Sequence, residues 1–151
     1  MSKPMIGNAV QMHMHMRAFE EAYAAVLKPL CAELSMPQSA LDILLFLANN
    51  PEYKTARDIV EIRKIKANLV SVNVDKLVNE GYLIRKNVEG DRRKVQLLCT
   101  DKAQPIISRG QQLQEHFVEQ LFADIDDATR QTIFQGMQQM ELNLNLILED
   151  S

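Results

Sequence analysis

Three consecutive cations, Arg92, Arg93 and Lys94, follow Gly90 and Asp91 in the stretch YLIRKNVEGDRRKVQLL that runs from Tyr82 to Leu98. Two short β-patterned runs flank that turn, so the stretch is expected to be a β-hairpin with a cationic tip. An Arg on such a tip reaches the negative potential of a narrow minor groove without burying its backbone, and neighbouring cations suit phosphate oxygens. Immediately upstream, Lys66 to Glu80 places Val70, Val74 and Leu77 at helical spacing and stops at Gly81, the residue best suited to a left-handed helix C-cap. With that apolar line turned inward, at about 100° per residue, Asn68, Leu69, Val72, Asp75 and Lys76 face outward and Ser71 lies at the edge of the face. Asn68 and Ser71 offer hydrogen bonds to bases or phosphates and Val72 an apolar contact for a thymine methyl, whereas the bidentate Arg-to-guanine contact has no donor on this face. A helix feeding a basic hairpin is a winged helix-turn-helix arrangement, with one rod for a major groove and one charged finger for the backbone or minor groove.

A net charge of −3 over 151 residues argues against a polyanionic partner until its distribution is considered. Residues 53–94 hold eleven Lys or Arg against six acids, a net of +5, which leaves −8 for the remainder. A basic middle between acidic ends attracts phosphates to one face and repels them from the rest, which orients the approach. The plainer alternative is a solvated helical surface.

The elements that must position these groups are helical. The chain is 46% hydrophobic and 25% charged, has no Trp and only five Gly and five Pro. Those proportions describe one ordinary globular domain, mainly α with a small β-hairpin wing. From about Asn8 to Leu34, Met12, Met16, Phe19, Tyr23, Val26 and Leu30 alternate steps of four and three, a heptad seam on a long helix. Ser35 and Gln38 stand in capping-box relation before a second helix to about Asn50, and Thr55 with Asp58 forms another such pair before a short helix whose Ile59 and Ile62 should face inward. Arg63 to Lys66 is the turn, and Asn68 is a candidate cap for the recognition helix, the alternative being a helix that begins a few residues earlier. After the hairpin, Thr100 is a candidate N-cap for a helix to about Ala123, with Ile106, Leu113, Phe117 and Leu121 as its apolar side; Pro105 implies either a kink or a helix that begins there. A last helix starts at Asp126 or Asp127 and repeats the heptad spacing through Ile133, Met137, Met140, Leu144 and Ile147. Two such seams at opposite ends of the chain suit pairing between two subunits, or else packing within one.

The longest apolar run, Ile43 to Ala48, is far short of the roughly 20 residues of a membrane span, so no membrane partner and a cytoplasmic location are expected. Cys31 and Cys99 fit no metal or redox spacing.

At this point the chain resembles the MarR family of bacterial transcription regulators, dimeric winged-helix proteins of about this length and helix order. The resemblance covers most of the chain, and its most specific part is Gly90-Asp91-Arg92-Arg93, the strand Val95-Gln96-Leu97-Leu98, and Thr100. Leu77, Gly81, Leu83 and Arg85 match the end of the recognition helix and the first wing strand. It implies a winged-helix lobe over about 35–100, dimerisation helices over about 8–34 and 101–149, and DNA contacts from Lys66, Asn68, Ser71, Val72, Lys76, Arg92, Arg93 and Lys94. Residues 66–76 would lie in the major groove and Arg93 in a minor groove. Asp91 would hold the wing in place, its other reading being a plain turn former; for Arg92 and Lys94 the other reading is solvent exposure. The chain departs from the family pattern where a glycine is expected shortly after Thr100 and Ala103-Gln104-Pro105 stands instead.

Regulators of this kind commonly bind a small-molecule effector between the dimer helices and the DNA-binding lobe. Met12, Met16, Phe19, Tyr23, Leu113 and Phe117 are the residues available to line that space, although an apolar stripe is more often simply core. The run Met12-His13-Met14-His15-Met16 contains soft ligands for copper, but side chains two apart on a helix diverge, and no metal or other cofactor is expected. Cys31 and Cys99 lack a flanking cationic cluster that would make them oxidant sensors. There is no P-loop, GxSxG, HExxH or CxxC, so no catalytic residues and no enzyme activity are expected. The expectation is a homodimeric, ligand-responsive repressor on a pseudo-palindromic DNA operator. The competing expectation is a winged-helix module that binds protein, motivated by the outward apolar Leu69 and Val72.

Overall fold

The structure, a computed structural model, describes residues 8–151 and contains two compact units, one ending at Glu115 and the other spanning His116–Ser151. The elements are α1 (Ala9–Leu34), α2 (Gln38–Asn49), α3 (Ala56–Asp58, continuing as a π-helical turn Ile59–Arg63), α4 (Ala67–Asn79), β1 (Leu83–Val88), β2 (Asp91–Cys99), a 3-10 turn Asp101–Ala103, α5 (Gln104–Leu121) and α6 (Asp127–Glu149). The fold is therefore mainly α with one antiparallel hairpin, as the pattern predicts.

The first unit is built around α2. Ala40, Leu41 and Ile43–Leu47 are all buried, so this helix is apolar on nearly every side and forms the centre of the core. Leu27 and Leu30 of α1, Ile59, Val70, Val74 and Leu77, Leu83 and Leu97 of the hairpin, and Ala103, Ile106 and Ile107 close around it. Of the α1 seam, only its C-terminal part enters this core; Met12, Met16 and Phe19 are exposed. Gly110 lets α5 lie against α2, since a Cβ there would stand 2.7 Å from Leu45 Cδ2.

Several local expectations are corrected. Ser35 does not open a capping box: it ends α1 in a left-handed conformation (φ 50°), its N–H bonded to Ala32 O and that of Met36 to Cys31 O, and Pro37 is the uncapped N-cap of α2. The left-handed turn commits Ser35 to closing the helix behind it. Ile59 is fully buried, but Ile62 is exposed, because the i→i+5 winding of the π turn rotates residue 62 off the inward face. By contrast Thr55 and Asp58 form the full reciprocal box: Thr55 Oγ1 accepts from Asp58 N (3.1 Å) and Asp58 Oδ2 from Thr55 N (3.1 Å). α5 begins at Gln104 with Pro105 in its first turn, where the missing N–H costs nothing.

In the second unit Asp126 is the N-cap of α6, Oδ1 accepting from Thr129 N at 2.7 Å. Arg130 donates to the carbonyls of Phe122 (2.9 Å) and Ile125 (2.8 Å), which closes the turn before the helix. Phe122, not the exposed Leu121, points inward, and its ring meets that of Phe134 at 5.3 Å. No residue of α6 is buried; Phe134, Met137, Met140, Leu144 and Ile147 are all exposed.

Candidate nucleic-acid interface

The recognition helix α4 has its rotation set by four buried residues, Val70, Asn73, Val74 and Leu77. Asn73 is the informative one. Its Nδ2 donates to Ser39 Oγ of α2 (2.9 Å) and to Leu69 O (2.8 Å), so a polar pin among apolar contacts sets the helix against the core. Asn73 is not among the residues that the helical spacing singles out, although a lone amide on an otherwise apolar helical line is the signal that finds such a pin. The expected cap is corrected as well: Lys66 is the N-cap, without a side-chain bond, and Asn68 lies inside the first turn.

The far end of α4 is closed from three sides. Gly81 takes φ 84°, its N–H bonding Val78 O (3.0 Å) while that of Tyr82 bonds Leu77 O (2.9 Å), the two bonds of a Schellman motif. Thr100 is not a side-chain cap for the following helix; its hydroxyl donates back to Gly81 O at 2.6 Å, and a 3-10 turn intervenes before α5. Lys102 Nζ donates to Glu80 O (2.6 Å) and lies 4.7 Å from the centre of the Tyr82 ring. A cation at these last carbonyls also matches the negative end of the helix dipole. The segment leaving the wing is thereby tied to the end of the recognition helix.

The wing pairs Leu83 with Cys99 through Asn87 with Val95, then slips by a bulge so that Val88 faces Asp91 across the Glu89-Gly90 turn, with Gly90 at φ 87°. The tip is therefore Glu89-Gly90, and Arg92, Arg93 and Lys94 are exposed at the start of β2, a displacement from the cationic tip expected. The bulge adds twist at that point and so re-aims these side chains. Asp91 Oδ1 accepts from Arg93 N at 2.9 Å, an Asx turn that fixes the backbone carrying Arg93. A further bond, Leu97 N to Lys54 O (2.7 Å), anchors β2 to the segment before α3.

Ion pairs sort the surrounding charges. Arg57 pairs with Glu61 (2.8 Å), which holds its guanidinium pKa above the usual value, and Arg85 of β1 pairs with Asp75 of α4. Arg63, at the end of the π turn, lies 3.5 Å from Asp42 of α2, just before Lys64 reverses the chain at φ 65°. Asp42 is nearly buried, Oδ1 has no hydrogen-bond partner among the described residues, and desolvation raises its pKa against the opposing pull of Arg63 and Gln38. Lys64, Lys66, Lys76, Arg92, Arg93 and Lys94 form no ion pair among the described residues. Of the predicted α4 contacts, Lys66, Asn68, Ser71 and Val72 are exposed and Lys76 is half-buried.

The six residues named for an effector space are distributed otherwise. Tyr23 is half-buried, its hydroxyl accepting from Gln114 Nε2 (2.9 Å), and Leu113 packs against the core of the first unit. Phe117 is buried and belongs to the second unit. None of the six lines the cavity of about 650 Å³ beside α1 and the start of α2, which is bounded by Ala24, Lys28, Cys31, Ser35 and Met36 among others. Cys31 and Cys99 are free, half-buried thiols whose pKa burial pushes up, the reverse of what a reactive thiolate needs. His13 and His15 are exposed on α1, and among the described residues no cluster of three His, Cys, Asp or Glu is placed to hold a metal.

Residues 34–94 match the model of the MarR family. The structure is similar to a MarR transcriptional regulator from Methanosarcina mazei Go1, with 22% identity and a TM-score of 0.71 over 96% of this chain and 99% of that one. It is similar to a MarR family transcriptional regulator from Listeria monocytogenes complexed with 26mer DNA, with 17% identity and a TM-score of 0.75 over 95% of this chain and 90% of that one. A MarR family regulator from Silicibacter pomeroyi gives 17% identity and a TM-score of 0.77 over 93% of this chain and 92% of that one. At these identities the likeness is one of fold. No curated protein matches the chain by sequence.

Proposed function

We propose that this chain, whose residues 34–94 match the model of the MarR family, is a DNA-binding transcription regulator of that family that acts as a homodimer, without catalysis, in the cytoplasm. The observation that carries the reading is the pairing of an outward α4 face with exposed wing cations, Arg92, Arg93 and Lys94, that form no ion pair among the described residues, on a lobe whose fold it shares with a regulator solved on DNA. In this reading residues 35–100 form the DNA-binding lobe: Lys66, Asn68, Ser71, Val72 and Lys76 meet the major groove, and Arg93, on backbone held by Asp91, enters the minor groove. Residues 8–34 and 101–149 supply the dimer helices. A helix of 23 residues with no buried side chain and an apolar step of four and three is a surface that a second subunit would cover.

Two-fold symmetry then sets a pseudo-palindromic operator with half-sites about one helical turn apart. Among the described residues no single helix is long and apolar enough to cross a membrane. An effector that favours dimers with a different recognition-helix spacing would release the operator, making the regulator a ligand-responsive repressor. The apolar Leu69 and Val72 on the same face favour, as a second reading, a module that binds protein.

Fluorescence anisotropy of labelled DNA from upstream of the protein's own gene, titrated with the wild type and with Arg93→Ala, tests the reading. Tight, site-selective binding that the variant loses supports it. Binding indifferent to Arg93 removes the wing from the interface, and failure on all duplexes leaves the protein-binding reading.

A further inference from the structure

We propose that the operator half-site is read chiefly through thymine methyl groups, with Val72 as the residue that sets specificity and Leu69 beside it. This rests on the DNA-binding reading above and names the chemistry of the sequence it recognises. The rotation of α4 is fixed by Val70, Val74 and Leu77 in the core and by the Asn73–Ser39 hydrogen bond, so its outward residues are not interchangeable with its inward ones. Opposite the buried line stand Asn68, Val72 and Asp75, about 160°, 200° and 140° from the core direction at 100° per residue. Val72 is 65% exposed at the middle of that line and Leu69 43% exposed at its flank.

The charged readers are missing or already occupied. From Ala67 to Asn79 there is no Arg, and the one cation is Lys76, half-buried in the C-terminal half of the helix. Bidentate recognition of guanine O6 and N7 therefore has no side chain in the N-terminal turns that enter the groove. The Asp75 carboxylate is held by Arg85, which withdraws it from the cytosine amino group it would otherwise accept from. What faces the groove is an isopropyl group, an isobutyl group, one amide and one hydroxyl. The apolar group on the major-groove edges is the C5 methyl of thymine.

Charge commits the occupant to DNA over an apolar protein surface. Lys64 and Lys66 precede the helix and Arg92, Arg93 and Lys94 stand on the wing, all without ion pairs among the described residues, so the apolar patch is framed by cations at the places where phosphates run. Runs of A·T pairs also narrow the minor groove, so an A·T-rich half-site that extends from α4 to the wing would supply the negative potential that draws in Arg93.

The test selects bound duplexes from a random library with the full-length wild type and with Val72→Ala, then replaces thymine by deoxyuridine at the enriched positions, which removes the methyl alone. Val72 is exposed and alanine is the better helix former, so the variant keeps the fold. The expected result is enrichment of A·T pairs where α4 lies and a loss of about fourfold in wild-type affinity for each methyl buried, with a smaller loss in the variant at the thymine that Val72 meets. Enrichment of G·C pairs there, indifference of the wild type to deoxyuridine, or an equal loss in Val72→Ala would each overturn the proposal while leaving DNA binding intact. Enrichment of no duplex at all, with retention of an acidic apolar peptide instead, would overturn both.

Discussion

Substituting Gly110 by alanine sets two effects of known size against each other. The added Cβ would stand 2.7, 3.1 and 3.3 Å from Leu45 Cδ2, Cδ1 and Cγ. Real Cβ atoms do not approach within 3 Å of a carbon, so Leu45 has to move. Leu45 is 1% exposed, in the middle of α2 with buried neighbours on both sides, so its movement becomes an overpacking cost of about 1–3 kcal/mol. Against this, alanine is favoured over glycine inside a helix by about 1 kcal/mol. The predicted net effect of Gly110→Ala is a loss of about 1 kcal/mol, or roughly 2–4 °C in Tm. The sign should reverse when the obstacle is removed: Leu45→Ala alone costs about 2–5 kcal/mol, and Gly110→Ala on that background should recover up to about 1 kcal/mol. Urea unfolding of the four proteins followed by circular dichroism measures this cycle. If Gly110→Ala stabilises the wild type, or has the same effect on both backgrounds, α5 and α2 do not approach as described.

Asn73→Ala should cost about 1–3 kcal/mol in the same unfolding assay, since the buried amide is lost and the half-buried Ser39 hydroxyl and Leu69 carbonyl lose their donor, and an effect near zero would show that the pin is not needed. Asp42 gives a pH signature. Burial raises its folded pKa above the ordinary 3.8, so the ionised form weighs against the fold as pH rises from that value through the raised one. The stability of Asp42→Asn relative to the wild type should therefore be greater at pH 7 than at pH 4; a difference that is flat, or of opposite slope, would mean that the Arg63 pair outweighs desolvation. Cys31 and Cys99, both pushed up by burial, should react with iodoacetamide at pH 7 more slowly than a free thiol, and faster labelling would contradict their burial.

What was legible in the sequence was local. Gly81 announced the end of α4 because a Schellman closure needs a positive φ at one residue, and Thr55 and Asp58 announced their helix because both bonds of the box lie within four residues. Asp126 caps α6 for the same reason. Ser35 and Thr100 misled because each hydroxyl-bearing residue had a stronger competing demand, a left-handed helix closure in one case and the Gly81 carbonyl in the other. Ile62 misled because the pattern assumed a period that the π turn does not keep. The shape of the interface was less legible than its charge. Arg92, Arg93 and Lys94 were found as cations, but their place on β2 and not at the tip depends on where the hairpin slips register. Asn73 pairs with Ser39 across 34 residues and Gly110 is shaped by Leu45, so neither role exists until α2, α4 and α5 are packed.

If the exposed wing cations meet DNA phosphate or the minor groove, binding must release counterions and weaken as salt is added. The most direct measurement is the slope of log K against log salt concentration for one bound duplex, compared between the wild type and Arg93→Ala. The expected result is a steep negative slope for the wild type, made shallower by about 0.9 in the variant as one cation contact is lost. Parallel slopes, or a wild-type affinity that does not change with salt, would contradict it.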